Sequence, residues 1–198
     1  MKKTALACGL SLLAGAALAQ DTARPVGDDF VALFSSYCLQ KFPDDGALVA
    51  QAAQDKLEPL SAAQVKVLEH KDNGLGWMVS RAGVPYLLTV EQASLHSCAL
   101  RRTSDEVMNG DALIAAARHF VEAGGHKLMP PAVFARPLAG GGVSHSMTLQ
   151  ELDEKDQPLP QAYMFFVVSY PAKPRADGTL AKPFYEIRFM RQMFRQQT

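Results

Sequence analysis

Hydrophobic positions along the chain change period twice before residue 125, and each change marks a change of element. Phe30, Leu33, Phe34, Tyr37 and Cys38 fall on one face of a 3.6-residue period. They predict a helix opened by Asp28 and Asp29, acids suited to the positive end of the helix dipole. A second helix is predicted over residues 45–56, ahead of Pro59. Ser61-Ala62-Ala63-Gln64 has capping-box spacing and starts a third, short helix that Gly74 ends. The period then drops to two. Residues 75–81, 84–91 and 95–102 read as strands on tight turns, the first turn at Ala82-Gly83. Pro85 cannot donate to a ladder, so its strand is an edge there or begins there.

Thr103-Ser104-Asp105-Glu106 predicts another capping box and a helix to Ala123, with Leu113, Ile114, Ala117, Phe120 and Val121 facing inward. Gly124-Gly125 ends it. Residues 124–142, with Pro130, Pro131 and Pro137, read as a long irregular connection. Three more strands follow at residues 143–152, 161–170 and 184–193. The middle one is apolar without alternation from Ala162 to Val168, as in a strand covered on both faces. The predicted fold class is therefore α+β: antiparallel sheet of about six strands in two three-stranded meanders, with helices packed on one face.

The N-terminus changes the expected compartment. Lys2 and Lys3 precede a stretch without charge up to Gln20, and Ala17-Leu18-Ala19 has the small-x-small pattern read by signal peptidase. Residues 1–19 are predicted to be a signal peptide cleaved after Ala19, and residues 20–198 a single periplasmic domain. Cys8 lies inside the apolar stretch, whereas a lipobox cysteine closes it, so lipidation is not expected. No later segment is expected to be transmembrane, since the longest uncharged run is broken by Pro158, Pro160 and Pro171. Loss of the leader leaves Cys38 and Cys98, and two thiols in an exported chain are most simply one disulfide.

Composition narrows the function. The 198 residues carry 20 Lys+Arg against 20 Asp+Glu and are 48% hydrophobic. That is enough chain for a genuine core, and the balance lacks the basic excess of a nucleic-acid binder. No zinc helix, Cys-x-x-Cys pair, nucleophile elbow, Ser-x-x-Lys or phosphate loop is present, and no cofactor is expected. Gly140-Gly141-Gly142 leads into a strand, so it reads as a flexible loop end and not a phosphate cradle. The acid pairs Asp28-Asp29, Asp44-Asp45 and Asp153-Glu154 sit at helix starts or a turn, where capping and solvation explain them. His70, His96, His119, His126 and His145 are the candidates for a histidine-dependent site. His145 and Met147 share one strand side, a pair of the kind that suits Cu(I), with Met129, Met190 and Met193 elsewhere in the second half. Trp77 reads as core. Arg188, Arg191 and Arg195 read as a small basic edge, suited to edge protection, a salt-bridged surface or an acidic partner.

Cys38, Gly74-Leu75-Gly76-Trp77, Pro85-Tyr86-Leu87-Leu88 and Cys98 together resemble a family of small exported proteins and lipoproteins of Gram-negative bacteria. The resemblance covers residues 30–120. It implies export and supports a Cys38–Cys98 bridge, and it carries no catalytic residues. The expected function is a periplasmic binding or interaction protein with no catalytic chemistry, for example an inhibitor or immunity protein. Its partner is expected to be a periplasmic or envelope protein, met through the two long loops at 124–142 and 171–183. The alternatives are an envelope-acting hydrolase with a histidine-dependent site and a periplasmic copper-binding protein.

Overall fold

The computed structural model describes residues 26–69, 73–92, 96–105, 110–125 and 127–193. The predicted leader, Cys8, His70, His126 and Arg195 lie outside the described residues. The first apolar stripe forms α1 (Val26–Phe34), which widens into a π-helical turn at Ser35–Leu39. That turn brings Tyr37, Cys38 and Leu39 into the core in succession. Asp44 caps α2 (Asp45–Gln54), its carboxylate accepting from the Ala47 N–H at 2.9 Å. The capping box before α3 (Ala62–Glu69) is formed: Ser61 N–H donates to Gln64 Oε1 at 2.8 Å, and Gln64 N–H returns to Ser61 Oγ at 3.4 Å. The box predicted at Thr103 is not formed by that residue, which ends a strand; α4 runs Gly110–Ala123.

The strands, in chain order, are β1 (Glu58–Pro59), β2 (Gly74–Arg81), β3 (Val84–Glu91), β4 (Ser97–Thr103), β5 (Ala132–Pro137), β6 (Val143–Leu152), β7 (Pro158–Tyr170), β8 (Lys173–Pro174), β9 (Leu180–Ala181) and β10 (Phe184–Met193). Eight of them make one antiparallel sheet in the order β1-β2-β3-β4-β10-β7-β6-β5, and β8 and β9 form a separate ribbon. The six predicted strands are present, and the two-meander description is corrected. β10 pairs with β4 on one side and β7 on the other, so Ile187 lies opposite both Leu100 and Val167 and fuses the meanders. The connection at 124–142 contains β5, and that at 171–183 contains the ribbon. Neither is the irregular loop its prolines predict. Pro85 lies where β3 begins, two residues before its pairing with β4 starts at Leu87.

Register aligns the core in rows across the sheet. Trp77, Leu88, Leu100, Ile187 and Val167 are successive neighbours in one row, as are Val90, Cys98, Phe189, Phe165 and Met147 in the next. All are buried, and α1, α2 and α4 contribute Phe30, Leu48 and Leu113 to the same cluster. Cys38 and Cys98 form a disulfide, Cα to Cα 5.4 Å, that ties the π turn to β4.

The expectation that helices pack on one face is overturned by α3, which lies on the opposite face over β2 and β3. Glycine makes the space. A Cβ on Gly76 would come within 2.9 Å of Leu60 and 3.1 Å of Val65, so side-chain-free positions on β2 are where α3 and its lead-in seat. The expectation that residues 162–168 are covered on both faces also fails. Ala162, Phe165 and Val167 are buried, but Met164, Phe166 and Val168 are half-exposed on the face that α3 reaches only at its far end.

The glycine run is a hairpin turn. Gly140 and Gly141 have φ of +81° and +80°, and Leu138 N–H donates to the Gly142 carbonyl at 2.8 Å. At Gly142 a Cβ would lie 2.6 Å from the Tyr170 ring and 2.9 Å from the Ser169 carbonyl. Gly142→Ala is therefore expected to cost about 1–3 kcal/mol, as overpacking does. The cost appears as a lower urea midpoint with the far-ultraviolet spectrum retained; an unchanged midpoint would contradict it.

Candidate functional site

An apolar cleft of about 400 Å³ opens between the helical layer and the sheet. Leu39 and Pro43 form one wall, Phe120, Val121 and Gly124 of the α4 end the other, and Tyr163 and Phe189 the floor. The floor is a set of packed aromatic rings. Phe189 lies 4.8 Å from Phe165 at an interplanar angle of 9° and 5.5 Å from Tyr163, while Phe42 meets it edge-on at 5.4 Å. A second groove of about 390 Å³ continues beyond Phe120, sharing Leu39, Phe120 and Ala123 with the first and reaching Leu113 and His119. Half-buried Phe120 is the ridge between them. The volumes fall in the range of small-molecule and side-chain pockets, and the lining selects an apolar group.

The sequence offers little sign of this cleft, because its residues come from the π turn, α4, β7 and β10 and meet only through tertiary packing. Phe120 carries the one local signal, an aromatic on the inward stripe of α4.

The polar side chains are elsewhere. On the face opposite the main core, three carboxylates meet two guanidinium groups. Arg101 donates to Glu69 at 2.8 Å and to Glu186 at 2.5 Å. Arg188 donates to Glu69 at 3.0 Å, Glu186 at 2.8 Å, Glu91 at 3.2 Å and Ser97 at 3.2 Å. The Thr89 hydroxyl donates to Glu69 and accepts from Arg101. Side chains of Glu69 and Arg101 are each 1% exposed. Burial pushes the Glu69 carboxyl up, but Arg101, Arg188 and the Thr89 hydroxyl together outweigh it and hold it below its ordinary value. Burial likewise opposes charge on Arg188, and Glu186 and Glu69 more than restore it. This network clamps the C-terminal end of α3 to three strands. Arg188, read from sequence as part of a basic edge, is instead on a central strand and inside the clamp. Available signals were the alternate polar positions Thr89/Glu91, Ser97/Arg101 and Glu186/Arg188, whose period of two puts them on one face.

Among the described residues the histidine candidates His96, His119 and His145 are not brought together. His96 Nε2 lies 2.8 Å from Asp45 with its ring against Phe42, and His145 Nδ1 lies 3.2 Å from Asp111. Imidazole oriented by carboxylate at Nδ1 is half of a nucleophile-activating arrangement. On β6, however, Ser144 and Ser146 project from the face opposite His145. His119 is exposed on α4. Met147 shares the side of β6 with His145 as predicted, but it is 1% exposed and packed in the core. Among the described residues no three His, Cys, Asp or Glu side chains group to hold a metal. Asp29 pairs with Arg81 at 2.8 Å, and Asp153 accepts from the N–H groups of Lys155 and Gln157 in a turn. Trp77 is core, as read. Among the described residues no helix is long and apolar enough to cross a membrane. Comparison with protein-family models, curated proteins and solved structures found no match to this chain.

Proposed function

We propose that this chain is an exported binding protein of the cell envelope that captures an apolar group of a partner protein and performs no chemistry on it. The observation that carries the reading is the aromatic-floored cleft, bounded above by the ridge of Phe120. Such a cleft gives a buried apolar anchor the desolvated pocket that dominates binding energy in protein interfaces. The internal disulfide supports export, because these bonds form and persist in oxidising compartments. The resemblance to small exported proteins of Gram-negative bacteria points the same way. Within this class, an inhibitor or immunity protein against a cell-wall enzyme or secreted toxin is the specific form.

Ala123 is exposed at the end of α4 and borders both grooves. Ala123→Trp is expected to fill the cleft without touching the core. Affinity capture from periplasmic extract should then recover one stoichiometric partner with the wild type and lose it with the variant. Recovery by neither protein across growth conditions, or equal recovery by both, would count against the reading.

A further inference from the structure

Arg101 and Arg102 are consecutive on β4, so they project from opposite faces of the sheet. Arg101 reaches the carboxylates of Glu69 and Glu186. Arg102 lies on the core side, is 8% exposed, and among the described residues has no carboxylate partner. Its Nη1 donates to the Tyr86 hydroxyl at 3.1 Å and its Nε to the Thr103 carbonyl at 3.4 Å. The guanidinium carbon lies 5.2 Å from the centre of the Tyr86 ring. All of these partners are neutral. Acids on flanking segments are engaged elsewhere, Asp29 by Arg81 at 2.8 Å and Asp105 by Lys182 at 2.6 Å. A guanidinium withdrawn from water without a counter-charge is costly, and buried charges are as a rule paired.

The hydroxyls beside Arg102 also lack acceptors. Tyr86 is 1% exposed; its oxygen accepts from Arg102, and its own proton meets no acceptor among the described residues. Tyr185 is 5% exposed and lies directly opposite Arg102 in the pairing of β10 with β4. Its hydroxyl makes no hydrogen bond among the described residues. Tyr37 is the contrast, for its hydroxyl donates to Asp55 at 2.7 Å. Three strands thus bring one cation and two phenols together on the core side with donors in excess. We infer that Arg102, Tyr86 and Tyr185 form a binding site for a small carboxylate. The guanidinium fork matches the two oxygens of a carboxylate, and the Tyr86 O–H supplies a further donor beside it. One carboxylate also brings the single negative charge that neutralises one guanidinium, whereas the charge of about −1.5 to −2 on a phosphate exceeds it. Burial of all three side chains limits the ligand to a few atoms beyond the carboxylate. None of the three residues lines the aromatic cleft or its neighbouring groove, so the inference is independent of the proposed function.

The test is thermal unfolding of the oxidised protein in sodium acetate, with sodium chloride at equal ionic strength as the reference. For a dissociation constant of about 1 mM, acetate at about 100 mM should raise Tm by about 5–11 °C over chloride. Tyr86→Phe keeps the ring and loses the hydroxyl, and should weaken acetate about tenfold. Arg102→Met should abolish the response, with a Tm in chloride no lower than that of the wild type, because it removes an unbalanced buried cation. The side-chain N–H signals of Arg102 in nuclear magnetic resonance should move as acetate is added. No acetate shift over chloride, or a shift that survives in Arg102→Met, would overturn the inference. If that variant does not fold, Arg102 signals unmoved by acetate overturn it instead. A response to phosphate equal to that to acetate would overturn the assignment to a carboxylate. A larger response to acetyl-alanyl-alanine than to acetate would assign the site to a chain terminus and overturn the assignment to a small acid.

Discussion

Glu69→Ala is expected to destabilise the fold by about 3–5 kcal/mol, the range for removing one partner from a fully buried ion pair. The size follows from what remains. Both Glu69 oxygens are occupied, one by Arg101 and Thr89 and the other by Arg188, so truncation leaves two largely buried guanidinium groups with Glu186 and Glu91 as their remaining carboxylate partners. It also releases the end of α3 from the sheet. Urea titration followed by circular dichroism should show a lower midpoint and earlier loss of α3 protection in hydrogen exchange. An unchanged midpoint would mean that the clamp contributes nothing to the fold.

The same group sets a pH dependence. The folded carboxyl of Glu69 is held below its ordinary value of 4.5, so its contribution is complete above that value. It is lost as the pH falls below it, through the depressed folded value, because the unfolded chain takes up the proton first. Glu69→Gln cannot follow this titration. The gap in urea midpoint between wild type and Glu69→Gln should be widest near neutrality and narrow in acid. A gap that stays constant would place the acid sensitivity in other carboxylates.

The period-two stretches and the inward stripe of α1 were legible because each depends on residues within one element. Misreadings came where a neighbour decides the outcome. Pro137 reads as a strand breaker, yet its missing N–H points away from β6 and breaks no bond. Pro158 and Pro160 open β7 where it has a neighbour on one side alone, since pairing with β10 starts at Gln161. Gly74 reads as a helix stop and Gly76 as an ordinary strand position, and the structure uses the missing side chains of both to admit α3 on the second face. Glu69 looks like a surface acid at the end of a short helix, and its partners lie 32 and 119 residues away. The cleft was least legible of all, for no spacing in the chain announces four rings that meet only after folding.

Breaking the Cys38–Cys98 bond should have an effect as large as the loss of Glu69, by a different route. The bridge spans 60 residues, from the π turn across α2, α3 and three strands. In the chain-entropy model a loop of that length restricts the unfolded ensemble by about 4 kcal/mol. Set against a typical total of about 5–15 kcal/mol, this is a large share of the margin. Cys38→Ala with Cys98→Ala in one chain is expected to lower Tm by about 8–16 °C, from the 2–4 °C per kcal/mol of domains this size. Both cysteines are fully buried, so dithiothreitol can reach the native bond only through an opening of the helix–sheet contact. Reduction of the wild type should therefore be slow below the transition and abrupt within it. Fast reduction at room temperature would show that the π turn separates readily from β4. A Tm in the double variant within about 2 °C of wild type, under 1 kcal/mol on the same scale, would show that packing around Leu39 and Phe189 already closes the loop without the covalent bond.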